Sequence, residues 1–426
     1  RTYYFTVRGR SATGLVSESG VSDGVTVDTA FISTPLVFPS VSQAVGSFAG
    51  LALLADGATD VVLRAVSTDG SLPMGLGIRN PTSIQLQAGQ QWARLVSEIF
   101  GLAAFDGWVE LEASQSNLRA YTSAGAADLS EFDGASPALP ATDFFLLHSG
   151  ANAILVNPGS ESVIATITDL ITNQSLPLEI PARSRRTTPL AGPVRITAPT
   201  AIAGVERFGT DGNLGIGAAV SEPGSSMIFP HAVVGGGYRS WLNLANASSE
   251  PTAISITFGV KTASLQLGAR ATTRVSLGEL FPLTVTEIET GAVRVDATAQ
   301  SGGGRVAVVI DIETDQSLVT IAPVKAATAI VFPHVANENG FFTGIAIAAV
   351  GAAAEVTIEV FDTAGMQSGI GTISVPANGQ LARLLGELIP GFGNQSGGYI
   401  RLTSNQPVAA WEIYVTNRAM ASGPPL

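Results

Sequence analysis

Val331-Phe332-Pro333-His334 opens the stretch that decides the fold, because most of the chain after residue 33 repeats it. It continues through Leu381-Ala382-Arg383-Leu384-Leu385-Gly386-Glu387-Leu388-Ile389-Pro390 and closes with Gly398-Tyr399-Ile400-Arg401-Leu402-Thr403-Ser404 and Pro407-Val408-Ala409-Ala410-Trp411-Glu412. A copy upstream runs from Ile228-Phe229-Pro230-His231 through Val275-Ser276-Leu277-Gly278-Glu279-Leu280-Phe281-Pro282 to Gly291-Ala292-Val293-Arg294-Val295. An earlier one runs from Val37-Phe38-Pro39 through Leu95-Val96-Ser97-Glu98-Ile99-Phe100-Gly101 to Gly107-Trp108-Val109-Glu110-Leu111. A shorter one lies between, opening with Leu146-Leu147-His148 and closing with Gly192-Pro193-Val194-Arg195-Ile196-Thr197.

The last copy shows how such a unit folds. Ile330 to Phe332 reads as a short strand stopped by Pro333, and Gly344–Ala348 and Val356–Phe361 are the next two. Asp362-Thr363-Ala364-Gly365 is a turn, Thr372–Val375 a strand, and Asn378-Gly379 a tight hairpin leading into Gln380–Leu384. Gly398–Thr403 and Val408–Val415 complete about seven strands with no long helical period, the pattern of an immunoglobulin-like sandwich. Ser276 with Glu279 three residues on has capping-box spacing, so a single helical turn is expected there and at its counterparts. The fold class is therefore all-β: tandem immunoglobulin-like β-sandwich domains with short helical turns. The expected division is 34–140, 141–223, 224–325 and 326–426, with the second unit smaller and lacking the helical connector. Of the connectors at Ala124 to Thr142, Gly209 to Ser225 and Ala322 to Ala327, the last two are short enough that the units they join are expected to touch.

Residues 1–33 stand apart. Tyr3, Phe5 and Val7 alternate with polar neighbours, Ser11 to Gly14 supplies a turn, and Val25-Thr26-Val27 is a second strand. Two strands bury no sandwich core. Tyr3, Phe5, Val7, Val25 and Val27 are therefore the residues expected to pair with something else, such as a neighbouring subunit.

Composition removes several classes of function. With 22 Lys and Arg against 34 Asp and Glu, a net charge of −12 offers no basic stripe to a nucleic acid. The chain has no cysteine, which excludes disulfides, thiolate metal sites and cysteine nucleophiles. No apolar run reaches the roughly 18 residues of a spanning helix; Phe341 to Ala354 comes nearest and reads as a buried strand with its turn. Charged residues are 13% of the chain, about half the usual share of roughly 25%. A surface so poor in charge is covered by neighbouring subunits, decorated, or bland.

Candidate sites each meet a plainer reading. His148, His231 and His334 fall at the same place in three successive units, a whole unit apart, so they share no zinc ion unless the units fold back on one another; each is expected to cap its first strand against a nearby loop. Glu98, Glu279 and Glu387 recur singly in the helical turns, not as the paired carboxylates of a glycosidase. Asp311, Glu313 and Asp315 share one face of a strand end; they read as an exposed polar edge, with a calcium site as the alternative. Trp92, Trp108, Trp241 and Trp411 are candidates for stacking on sugar rings, but Trp108 and Trp411 lie in alternating strands and most read as core. Asn173, Asn246 and Asn394 begin formal glycosylation sequons. No catalytic motif, cofactor or metal is expected.

The arrangement resembles multidomain bacterial surface or secreted proteins in which a fibronectin type III module precedes tandem Phe-Pro-His-type immunoglobulin-like repeats. Residues 1–33 resemble the last two strands of that module, with Tyr3 at the place of its corner tyrosine. The resemblance implies architecture and an extracellular or cell-surface location, and carries no catalytic residues. The expected function is a non-enzymatic structural protein that self-associates through β-strand edges into a filament, sheath or surface layer. The alternative is an adhesin stalk or carbohydrate-binding array, with polysaccharide as partner.

Overall fold

The computed structural model describes residues 35–209, 214–282, 287–423 and 425, with short stretches at 2–3, 6–7, 17, 20–21 and 25–26. Apart from the single turns Val96–Phe100, Leu277–Leu280 and Leu385–Leu388, the regular structure among them is strand, arranged in sandwich-like units.

The last unit sets the pattern. Ala354–Phe361 turns Val356, Ile358 and Val360 inward, as its period-2 alternation requires, and leaves Glu355 to water. It pairs with Gln367–Val375 on one side and with the first half of Tyr399–Val415 on the other; Ala327–Phe332 completes this first sheet. The second sheet has Phe342–Ala349 between Gln380–Leu384 and the second half of Tyr399–Val415, with Met420–Gly423 at its edge. Eight strand segments in two sheets thus replace the seven strands expected. The same four-plus-four pairing recurs in all the units, including the second, which lacks the helical turn but no strand. In the second and fourth units one strand, Val194–Phe208 or Tyr399–Val415, runs through both sheets. In the first and third it is broken, as Phe105–Ala113 then Leu118–Ala126, and Glu289–Ala299 then Val306–Glu313.

Two local expectations change. Asn378, at φ +55°, does turn the chain, but Gln367–Val375 and Gln380–Leu384 belong to opposite sheets. The turn is an arch across the sandwich, and the hairpin is the earlier one at Asp362-Gly365, where the Asp362 N–H donates to Met366. Ser276 makes no side-chain cap, whereas the Glu98 and Glu387 carboxylates accept the N–H groups of Leu95 and Leu384, each at 2.9 Å. Ser276 is replaced by leucine in those counterparts, so the glutamate carries the cap.

The units do not string out. The second sheet of each packs on the first sheet of the unit before it. Val156 and Ala203 cover Val37, Val66 and Trp108; Ala245, Ala307 and Val309 cover Phe145 and Leu147; Trp411 and Met420 join the core of the third unit. The first unit in turn lays its second sheet on the fourth, through Leu54 against Phe361 and Tyr399, and Tyr121 and Phe132 against Tyr414 and Ala421. The four units therefore close a ring. Their last strands, Phe132–Ala135, Gly215–Ala218, Leu318–Ile321 and Met420–Gly423, meet in cyclic order at its centre.

Ring closure buries strands on both faces. Val306–Glu313 is buried at its first seven positions and Phe342–Ala349 at its last seven. Such strands read as continuous apolar runs with no outward polar face. The low share of charge follows in part from this packing within one chain, so it does not require covering subunits.

At the N-terminus, Thr2–Tyr3 pairs antiparallel with Val25–Thr26, and Thr6–Val7 with Gly20–Val21. Tyr3, Val7 and Val25 thus lie in strands paired within the segment. Phe5, Val27 and the turn at 11–14 lie outside the described residues.

Candidate functional site

The chemistry-bearing side chains gather in the seams between units. The same register position, occupied by Gln91, Arg185, Thr272 and Gln380, opposes an equivalent position of the second strand in each unit. Gln91, Arg185 and Gln380 bond to the preceding unit round the ring, whereas Thr272 Oγ1 donates to the Leu244 carbonyl of its own unit. Gln91 donates to the Pro333 carbonyl at 3.3 Å, lies 3.4 Å from His334 Nδ1 and accepts the Gly398 N–H at 3.2 Å. Gln380 Nε2 lies 3.2 Å from His231 Nδ1. Arg185 donates to the Gly107 carbonyl at 2.6 Å and to both carboxylate oxygens of Asp106 at 2.8 Å. Beside it Arg183 forks onto Glu110 at 2.8 Å, and Trp108 Nε1 donates to the Arg183 carbonyl at 3.2 Å.

The histidines accordingly bond across seams; they do not cap their strands against local loops. Burial pushes His231 and His334 down to about 4, so both are neutral acceptors for a glutamine amide. His148 is different. Its Nδ1 is 2.6 Å from Glu206 Oε1, in its own unit, and its Nε2 is 2.7 Å from Asp311 Oδ1, in the next. Burial opposes its charge, but the two carboxylates outweigh burial and raise the imidazole to about 10. Phe208 stacks on the ring at 3.7 Å.

His148 and Asp311 line a cleft of about 740 Å³ between the second and third units, together with Asn243, Thr272, Arg274 and Glu313. A charged imidazole with both nitrogens held by carboxylates takes up no further proton near neutrality, so it is no general base. Its partners fix the two units together.

Asp311 is fully buried, which corrects the exposed-edge reading. It accepts from His148, Asn243 and Thr320, and although burial opposes its charge, His148 and these donors hold it below the usual carboxylate range. Glu313 accepts from Trp241 Nε1 at 3.1 Å, and Arg239 reaches both Glu313 and Asp315. The three carboxylates on that face thus meet protein cations and donors; among the described residues no group of three His, Cys, Asp or Glu is placed to hold a metal ion.

At the ring centre Asp133, fully buried, accepts the N–H groups of Gly134 at 2.7 Å, Ile216 at 2.6 Å and Ser422 at 3.1 Å, so one carboxylate joins the first, second and fourth units. Burial pushes it up to about 7 against these three donors. Nearby, Tyr414 Oη donates to Glu412 Oε2 at 2.7 Å, and the Tyr121 and Tyr414 rings lie 5.7 Å apart. Burial holds Glu412 and both phenols protonated well past their ordinary values.

Sequence reasoning missed Asp133, Gln91, Glu206 and Glu412. The available signal was a lone acid inside an apolar strand, as in Ala409-Ala410-Trp411-Glu412-Ile413. Trp108 and Trp411 are buried as expected, but at seams. Asn246 is no glycosylation acceptor: its amide is buried and donates to the Glu250 and Gly268 carbonyls.

No family model and no curated protein matches the chain. Solved structures give low likenesses. A calcium-stabilised adhesin with which an Antarctic bacterium binds ice is 12% identical over 92% of this chain and 99% of its own, at TM-score 0.12. A triple jelly-roll protein of an archaeal virus turret is 12% identical over 68% and 87%, at TM-score 0.14. A family 32 glycoside hydrolase from Bifidobacterium adolescentis is 8% identical over 92% and 100%, at TM-score 0.16. None of this chain's described helices is long and apolar enough to cross a membrane.

Proposed function

We propose that the chain is a non-enzymatic extracellular structural protein, a self-assembling subunit of a bacterial filament, sheath or surface layer. In this reading the sandwich units 34–140, 141–223, 224–325 and 326–426 follow a fibronectin type III-like strand pair at 1–33, and the whole is secreted. The observation that carries it is a set of outer edge strands: Thr82–Leu86, Ser175–Ile180, Lys261–Leu267 and Gln367–Val375 each pair on one side only among the described residues. Unpaired edges accept strands from other chains, and Leu176 and Ile370, 70% and 56% exposed, add apolar contact to two of them. The charged groups of the seams, by contrast, are occupied in holding units together. Electron microscopy over a range of concentrations tests the reading. Fibres or sheets are expected, lost in Leu176→Lys with Ile370→Lys; separate ring-sized particles at every concentration would refute it.

One observation favours the second reading, carbohydrate binding. Half-buried Trp92 borders two clefts, of about 540 and 410 Å³, with Arg79 and Glu98 in one and Gln91 and Thr363 in the other. Quenching of tryptophan fluorescence by an oligosaccharide, abolished in Trp92→Ala, would support it.

A further inference from the structure

We propose that the seam between the first and fourth units is exchangeable, so that the fourth unit of one chain takes the first unit of a second copy in place of its own. This deepens the self-assembly reading and rests on it, naming a head-to-tail surface distinct from the edge strands.

Three observations carry it. All four seams have one geometry, second sheet on preceding first sheet, and in three of them the same register position, Gln91, Arg185 or Gln380, bonds across the contact. Such a joint is heterologous: it makes a ring when the rotation closes and an open chain when it does not. Three of the seams lie between units consecutive in sequence, joined through the short segments 136–140, 219–225 and 322–326. The fourth joins units separated by the two others, so no short connector holds its faces together when they part. This seam also holds two of the three buried side-chain atoms that lack a hydrogen-bond partner among the described residues, Tyr121 Oη and Glu412 Oε1. Opening returns both to water, whereas opening the seam between the second and third units would separate His148 from Asp311 and lose a charge pair.

An occupant for the opened faces follows from their present cover. The fourth unit offers Phe361 stacked on Tyr399 at 4.6 Å, and what fits them is Leu54 of a first unit. Once the ring is open, its own first unit and that of a second copy present the same Leu54, Gln91 and Asp133.

The test uses two full-length variants, mixed. Leu54→Asp spoils the face of the first unit and leaves the fourth intact; Phe361→Asp does the reverse. Neither closes alone, but the fourth unit of one fits the first unit of the other. Light scattering on a size-exclusion column is expected to give single chains separately and a species of twice the chain mass from the mixture. A mixture that stays at one chain mass, with the β-sheet circular dichroism of both variants retained, would overturn the proposal. If either variant fails to fold, wild-type chains labelled separately with donor and acceptor dyes are warmed to the foot of unfolding and cooled together. Energy transfer between copies supports exchange and its absence overturns it. An unexchanged seam beside wild-type fibres leaves the edge-strand reading standing; exchange without fibres leaves only the seam.

Discussion

Replacing His148 with alanine removes the cation between two buried carboxylates. Glu206 would keep the backbone N–H groups of Leu147 and residue 148, at 3.1 and 3.0 Å, and Asp311 would keep Asn243 at 2.8 Å and Thr320 at 2.9 Å. Neither would retain a buried positive partner. Breaking a buried pair in this way costs about 3–5 kcal/mol. The pH dependence gives a second measure. Raising the imidazole from 6.5 in the unfolded chain to about 10 in the folded one corresponds to about 5 kcal/mol. The sign follows from linkage: a raised folded value means that this stability is complete below pH 6.5 and is lost as pH rises towards 10. Because four packed units need not unfold together, amide exchange in Arg239–Asn246, on the far side of the seam, is the local readout. The alanine variant should exchange faster there at pH 6 and lose the wild-type decline above neutrality. Proton NMR should find the wild-type imidazole protonated through neutral pH. An imidazole titrating below pH 7, or an alanine variant within about 1 kcal/mol of wild type, would show that His148 is no charged tie between the units.

Asp133→Asn retains an acceptor for two of the three N–H groups and turns an NH₂ towards the third, so a loss of about 1–3 kcal/mol is expected by urea unfolding. Since burial raises Asp133 from 3.8 to about 7, wild-type stability should fall between those values as pH rises, and a melting scan of the asparagine variant should lack that component. Gly134→Ala drives a methyl group into the Tyr121 phenol; overpacking of about 1–3 kcal/mol should appear as a lowered melting temperature, only partly relieved in Tyr121→Phe because the ring Cζ and the Thr122 carbonyl remain in the way. Calcium should leave the melting temperature unchanged, because Asp311, Glu313 and Asp315 face His148, Arg274 and Arg239; a saturable heat in calorimetry would contradict that arrangement.

The strands were legible wherever one face was wet. Val356-Thr357-Ile358-Glu359-Val360 alternates because one side meets the sandwich core and the other water, and Gln380–Leu384 falls where its turn signal puts it. The arch at Asn378-Gly379 was misread because a left-handed residue turns the chain whether or not the flanking strands then pair. His148 was visible as a repeat position but not as a charged tie, since its partners Glu206 and Asp311 lie far along the chain and carry no spacing signal. The same holds for Gln91, whose contacts are on the fourth unit.

An all-β chain of repeated sandwich units could be read directly from the residues, because side-chain period, turn residues and the recurring unit openings are local properties. Only the tertiary structure decided that the units close on one another. A strand such as Val306–Glu313, buried on both faces, has Val306, Val308, Ile310 and Ile312 filling its own sandwich and Ala307, Val309 and Asp311 at a seam, so apart from one acid the two sets look alike in sequence. Which surface covers the second set depends on the shapes of whole sheets brought together, and Asp133 finds its three donors only after that has happened.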